Sequence, residues 1–163
     1  MSDATLNEKL DHLAIAPERL TSRWVTITQE MISDFGRVSL DPDPMHVSPD
    51  WAEKFSPYGK TISFGFLTMA LLTHMLHDAM GSSPERETGE DGYYLNYGFD
   101  RLRLVQPVLV GSRLRGHFLI SSRSVDDQGR AKSAFDCTVE IEGEDRPALV
   151  AQWLSMWIGP DPK

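Results

Sequence analysis

The chain has 163 residues, 40% of them hydrophobic and 25% charged, enough apolar material for one domain with a real core. Its 24 Asp and Glu against 16 Lys and Arg leave a formal charge of −8, which argues against nucleic acid or an anionic membrane surface as the main partner. The single cysteine, Cys137, excludes an internal disulfide; with no apolar run of membrane-span length and no signal-like start, the expectation is a soluble cytoplasmic protein.

Residues 1–20 are polar with scattered Leu and Ile and read as an N-terminal arm, loose or a short helix, followed by a single domain over residues 21–160. Trp24 to Ile27 is a short strand rich in β-branched residues. Thr28 is placed to cap a helix with Ile32, Phe35 and Val38 on its apolar face, and Pro42 bars the continuation of that helix. Leu40 to Val47, Leu-Asp-Pro-Asp-Pro-Met-His-Val, is too proline-rich for helix or strand and is expected as a stiff loop. Pro49 to Lys54 follows as a second short helix with Pro in its first turn. Residues 64–80 carry the longest apolar helix, with Ser63 as its cap and Gly81 at its end. Apolar side chains lie nearly all round it, the pattern of a buried helix. Residues 82–92 are a polar loop.

From there the period changes. Tyr93 to Val105 is extended, but its apolar phase slips near Gly98–Asp100, which predicts a bulge or bend. Arg113 to Val125 alternates less cleanly than Ala131 to Ile141, a half-buried strand. Pro147 to Ile158 is apolar on both faces, as an interior strand should be. One early strand, then helices, then four long strands specify an α+β domain in which an antiparallel sheet wraps a central helix.

The chemistry concentrates in the proline-rich loop. Asp41 stands five residues before His46, and these are the two side chains best suited to hold and deprotonate a water near neutral pH. The plainer alternative is a loop-capping Asp41 and a surface His46. Cys137 lies in the apolar phase of its strand and reads as core, while His74 and His77 lack the Cys, Asp or Glu company of a metal site.

Three blocks in order carry a resemblance: FGRVSLDPDPMHVSPD at 35–50, SPYGKTISFGFLTMALL at 56–72 and NYGFDRLRLVQPVLVGSRLR at 96–115. The chain resembles the MaoC-like dehydratases, which include the (R)-specific enoyl-CoA hydratases, and most closely their nodulation-protein-N-like branch. The resemblance implies a hot-dog fold and a homodimer or higher homo-oligomer. It also implies reversible hydration of a trans-2-enoyl thioester, usually of coenzyme A, with no metal and no redox cofactor. By motif match Asp41 becomes the base that activates water and His46 its partner, and Gly65 lets the thioester carbonyl approach the N-terminus of the long helix.

Two positions depart from the family pattern. Asp43 stands where some relatives carry Asn, and is expected as a solvated loop carboxylate. Ile62-Ser63-Phe64-Gly65 replaces the usual Ile-Ala-His-Gly, so Phe64 removes a hydrogen-bonding group beside the expected oxyanion site. Arg101, Arg103, Arg113 and Arg115 form two i, i+2 pairs on what are expected to be neighbouring strands, either to meet a coenzyme A phosphate or to face solvent. Two rival functions share the fold: a hot-dog thioesterase, and a catalytically weak acyl-ligand-binding protein. The thioesterase usually carries its carboxylate on the long helix, and residues 61–77 contain neither Asp nor Glu.

Overall fold

A computed structural model describes residues 19–81 and 93–159. The expected arm up to residue 18 and the expected 82–92 loop lie outside the described residues. The elements run β1 (Leu20–Thr21), β2 (Val25–Thr26), α1 (Gln29–Ser39), α2 (Pro44–Val47), α3 (Pro49–Phe55), α4 (Gly65–Met80), β3 (Tyr93–Leu104), β4 (Arg113–Val125), β5 (Ala131–Ile141) and β6 (Leu149–Ile158). The strands form one antiparallel sheet in the order β1-β4-β5-β6-β3, with β2 beside β1 on the same edge of β4.

Helix α1 forms as its residues dictate. The Thr28 hydroxyl accepts the Met31 N–H at 3.2 Å, and the helix ends two residues before Asp41. Of its apolar set, Ile32 is fully buried and Phe35 packs on the core, but Val38 is exposed. The chain leaves α1 through Leu40, whose φ of 60° is left-handed. A β-branched or bulky side chain is rarely seen there, and Leu40 holds the turn that swings Asp41 off the helix axis.

The core lies between α4 and one face of the sheet. Leu72 and Met75 of α4 pack with Leu114 and Phe118 of β4, Phe135 and Val139 of β5, and Leu149 and Trp153 of β6. Leu72 and Met75 are buried to 1% or less, and truncating either to Ala would cost about 2–5 kcal/mol. Helix α4 is not buried on every side, however. Phe66 is 68% exposed, and Ala70 and His74, on the same stripe, are exposed as well. Ser63 does not cap the helix either: Phe64 is the N-cap, without a side-chain capping bond, while the Ser63 hydroxyl donates to the Phe64 carbonyl at 3.2 Å.

Strand β3 pairs only with β6 among the described strands, and its register shifts between Asn96 and Gly98 and again between Phe99 and Arg101. These are the expected bulges, and Gly98 supplies the positive φ, 148°, that one of them needs. The arginine pairs are not on neighbouring strands. β3 and β4 stand at opposite ends of the sheet, separated by β5 and β6.

Candidate active site

Asp41 and His46 are each positioned by different local devices. The Asp41 N–H donates to the Gly36 carbonyl at 3.0 Å, which pins the residue to the end of α1. The carboxylate of Asp41 is exposed and accepts the Asp43 N–H at 3.2 Å. The capping role expected of Asp41 is therefore present, and it leaves lone pairs on the same carboxylate open.

His46 is not in a loop. Pro44 to Val47 make one helical turn, because Pro44 at the first position lacks only an N–H that would have no acceptor, and the Asp43 carboxylate takes the Met45 N–H at 2.9 Å. Asp43 is thus a helix cap rather than a merely solvated carboxylate. The following Ser48 caps α3 through the Trp51 N–H.

The His46 ring is half-buried, and its Nδ1 lies 2.7 Å from the Ile62 carbonyl. A carbonyl can only accept, so Nδ1 carries the hydrogen and the neutral ring presents Nε2 as its acceptor. Residues 61–63 behave as a short rail: the Ser63 N–H donates to the Val108 carbonyl at 2.7 Å and the Val110 N–H to the Thr61 carbonyl at 3.0 Å. On the opposite side, the Ile62 N–H donates to the Met45 carbonyl at 3.3 Å.

Phe64, at the end of that rail, is 4% exposed. Its ring lies against His46 with centroids 3.9 Å apart and planes at 31°, and Phe35 sits behind it at 5.2 Å. Gly36 makes this convergence possible. A Cβ there would lie 2.7 Å from the Val47 side chain, 3.0 Å from the Asp41 carbonyl and 3.2 Å from the Phe64 ring. Gln29 is the residue that sequence reasoning missed. Its amide donates to the His46 carbonyl at 2.9 Å and to the Ser33 hydroxyl at 3.2 Å, and its oxygen accepts from Thr61. Its place as first residue of a capped helix was legible, but nothing local pointed to His46, 17 residues away.

Gly65 opens α4. The first N–H of the helix to bond back is that of Thr68, to the Phe64 carbonyl, so the N–H groups of Gly65, Phe66 and Leu67 have no acceptor within the helix. A side chain at Gly65 would collide with Leu104, so the glycine also has a packing reason.

The arginines divide. Arg113 pairs with Glu142 at 2.7 Å and Arg115 with Glu140 at 2.8 Å, and both lie over the Trp24 ring. Arg101 and Arg103 are exposed on β3, with no ion-pair partner among the described residues. Their neighbours Leu102 and Leu104 turn to the core and to Gly65, so alternation aims the two arginines at the opposite face, away from His46. Cys137 is buried in the core as expected, and burial pushes its thiol up to about 12.

Residues 12–142 match the family model described as MaoC like domain. The chain belongs to the MaoC-like domain family. It is 40% identical over 142 residues to Nodulation protein N of Rhizobium meliloti (strain 1021), covering 87% of this chain and 85% of that one. It is 33% identical over 155 residues to 3-hydroxyacyl-thioester dehydratase Z of Mycobacterium tuberculosis (strain ATCC 25618 / H37Rv), covering 94% and 98%. In three dimensions it is similar to the (R)-hydratase from A. caviae involved in PHA biosynthesis, with a TM-score of 0.66 and 14% identity over 87% of this chain and 96% of that one. The fold is the hot-dog fold of the MaoC-like proteins. The family places the chain among hydratases and dehydratases.

Proposed function

We propose that this MaoC-like chain adds water to trans-2-enoyl thioesters, and removes it from the 3-hydroxy products, with Asp41 and His46 activating the water. The observation that carries this reading is the His46 imidazole, held by the Ile62 carbonyl so that Nε2 remains an acceptor, close beside the N-terminus of α4. Asp41 as base takes a proton from water, the oxygen attacks C3, and the electron pair moves from the C2–C3 double bond towards the thioester carbonyl. The free N–H groups of Gly65, Phe66 and Leu67, with the positive end of the helix dipole, suit the enolate oxygen that forms. C2 is then protonated from the same side by the Asp41–His46 pair, and no bond to sulfur breaks.

The reading extends to the surroundings. A coenzyme A ester serves as substrate and no cofactor takes part. Arg101 and Arg103, expected as substrate-binding, face away from His46 and are given no part in holding the thioester. The site works within a homodimer: among the described strands β3 pairs on one side alone, with Tyr93, Tyr94, Leu95 and Tyr97 exposed, and α4 shows Phe66. The cytoplasm suits a buried, unpaired cysteine.

The thioesterase alternative is disfavoured because the first carboxylate of α4, Asp78, lies in its last turn and is tied to Arg23 at 2.6 Å. The test is to give the protein crotonyl-CoA and longer trans-2-enoyl-CoAs while following both the conjugated absorbance and free thiol. Loss of absorbance without thiol is expected; thiol release would replace the reading by a thioesterase, and binding without either change by an acyl-binding protein. Light scattering on the same sample is expected to give twice the chain mass.

A further inference from the structure

We infer that Gln29 and Phe64 are positioning residues that hold the His46 imidazole in one tautomer and one orientation, with Nε2 as its reactive nitrogen. The catalytic consequence rests on the hydratase reading; the tautomer itself can be measured without any substrate.

The bond from His46 Nδ1 to the Ile62 carbonyl joins two pieces of chain that are distant in sequence, and it lasts only if those pieces keep their register. Gln29 supplies the link. One carboxamide reaches the carbonyl of His46 and, with its oxygen, the hydroxyl of Thr61, the residue just before the carbonyl that receives Nδ1. Both ends of the imidazole's hydrogen bond are thereby tied to a single side chain of α1. The orientation of that amide is fixed by its partners, since the His46 carbonyl can accept but not donate. Thr61 is 1% exposed, so loss of the Gln29 oxygen would leave its hydroxyl buried without that acceptor.

Phe64 supplies the second restraint. Its ring covers one face of the imidazole at 3.9 Å and is itself backed by Phe35 and by the close approach at Gly36, so the imidazole has no room to tip that way. A phenyl ring offers no hydrogen-bonding atom, so it competes neither for the Ile62 carbonyl nor for Nε2. The departure from the family's usual His at this position is, on this geometry, an exchange of a polar neighbour for an apolar wall, with Gln29 and Ile62 setting the tautomer.

The test uses ¹⁵N NMR of the imidazole nitrogens in the full chain, with the His46 signals assigned by their loss in His46→Asn. Spectra are taken at alkaline pH. The wild type is expected to show the Nδ1–H tautomer alone. Gln29→Glu, which keeps the length but removes the amide donor, and Phe64→Leu, which removes the wall, are expected to show mixed tautomers. Their kcat for enoyl-CoA hydration should fall about tenfold to a hundredfold while KM stays within about twofold, as for a misplaced catalytic group. Thermal unfolding identifies any variant that fails to fold, and Gln29→Glu carries the test if Phe64→Leu does.

A wild type in the Nε2–H form, or both folded variants keeping the wild-type nitrogen pattern and kcat, overturns the inference. A pure Nδ1–H tautomer that becomes mixed in the variants, in a protein that hydrates no enoyl-CoA, upholds the positioning and removes the hydratase reading instead.

Discussion

His46 and His117 are both held by hydrogen bonds through their rings, and the difference between them separates the group proposed to react from a structural one. His117, on the face of β4 away from α4, has both nitrogens engaged. Nδ1 meets the Thr21 hydroxyl at 3.0 Å and Nε2 meets Glu140 at 2.7 Å. Glu140 also receives Arg115, which lies over Trp24 at 4.4 Å, so the cluster straps the short N-terminal strand and the Trp24 segment to β4 and β5. His46 has Nδ1 bound to a carbonyl and no bond to Nε2 among the described residues, and its ring lies against Phe64, the N-cap of α4. An imidazole saturated by partners serves the fold; one held by a single nitrogen can exchange a proton with something else.

The sharpest way to break this comparison is to exchange the consequences. His46→Asn and Asp41→Asn are expected to lower kcat for enoyl-CoA hydration by about 10²–10⁴-fold, a loss well beyond the roughly 1 kcal/mol of stability that losing the bond to the Ile62 carbonyl costs His46→Asn. Retained hydration in Asp41→Asn would remove it as the base. His117→Ala should do the reverse, costing about 1 kcal/mol in a urea titration because Glu140 and Thr21 lose a partner, with kcat within about twofold of wild type. A large loss of activity there would show that the two histidines are not separable.

A pH series refines the second arm. Hydrogen bonds from Arg115 and then His117 hold the Glu140 carboxyl below its ordinary range. A lowered folded-state value contributes stability that is complete above the unfolded carboxylate pKa of about 4.3 and is lost as pH falls through the lowered value. The stability difference between wild type and Glu140→Gln should therefore be greatest near neutrality and vanish in strong acid, as read from urea midpoints. The smallest effect belongs to Arg113→Ala. Its pair with Glu142 is nearly half exposed on both sides, so about 0.2–1 kcal/mol is expected, less at high salt.

Much of the fold was legible because its signals are local. Thr28 caps α1, Pro42 stops it from running on, and the phase slip near Gly98 marks a real bulge, since each depends on residues only a few positions apart. The helical turn at Pro44–Val47 was missed because its proline count outweighed the Asp43 cap that makes it possible. Strand β1 escaped notice because two residues carry no period; Leu20 and Thr21 are strand only because His117 and Phe118 lie opposite. In the candidate site, Asp41 and His46 stood out by residue type and spacing, whereas Gln29 has meaning only through partners 17 and 32 residues away.

The amino-acid sequence by itself determined most of the longer elements, the family and the two residues proposed to activate water, because propensity, capping and motif spacing act over a few residues. The tertiary structure decided which nitrogen of His46 meets the Ile62 carbonyl, that the Phe64 ring lies against the imidazole, and that among the described residues one arginine pair is bound to glutamates while the other is not. It also left the Phe66 stripe of α4 exposed, although its composition reads as buried. Each of these depends on which strand lies beside which, and that order is set by burying one shared core, not by any single segment.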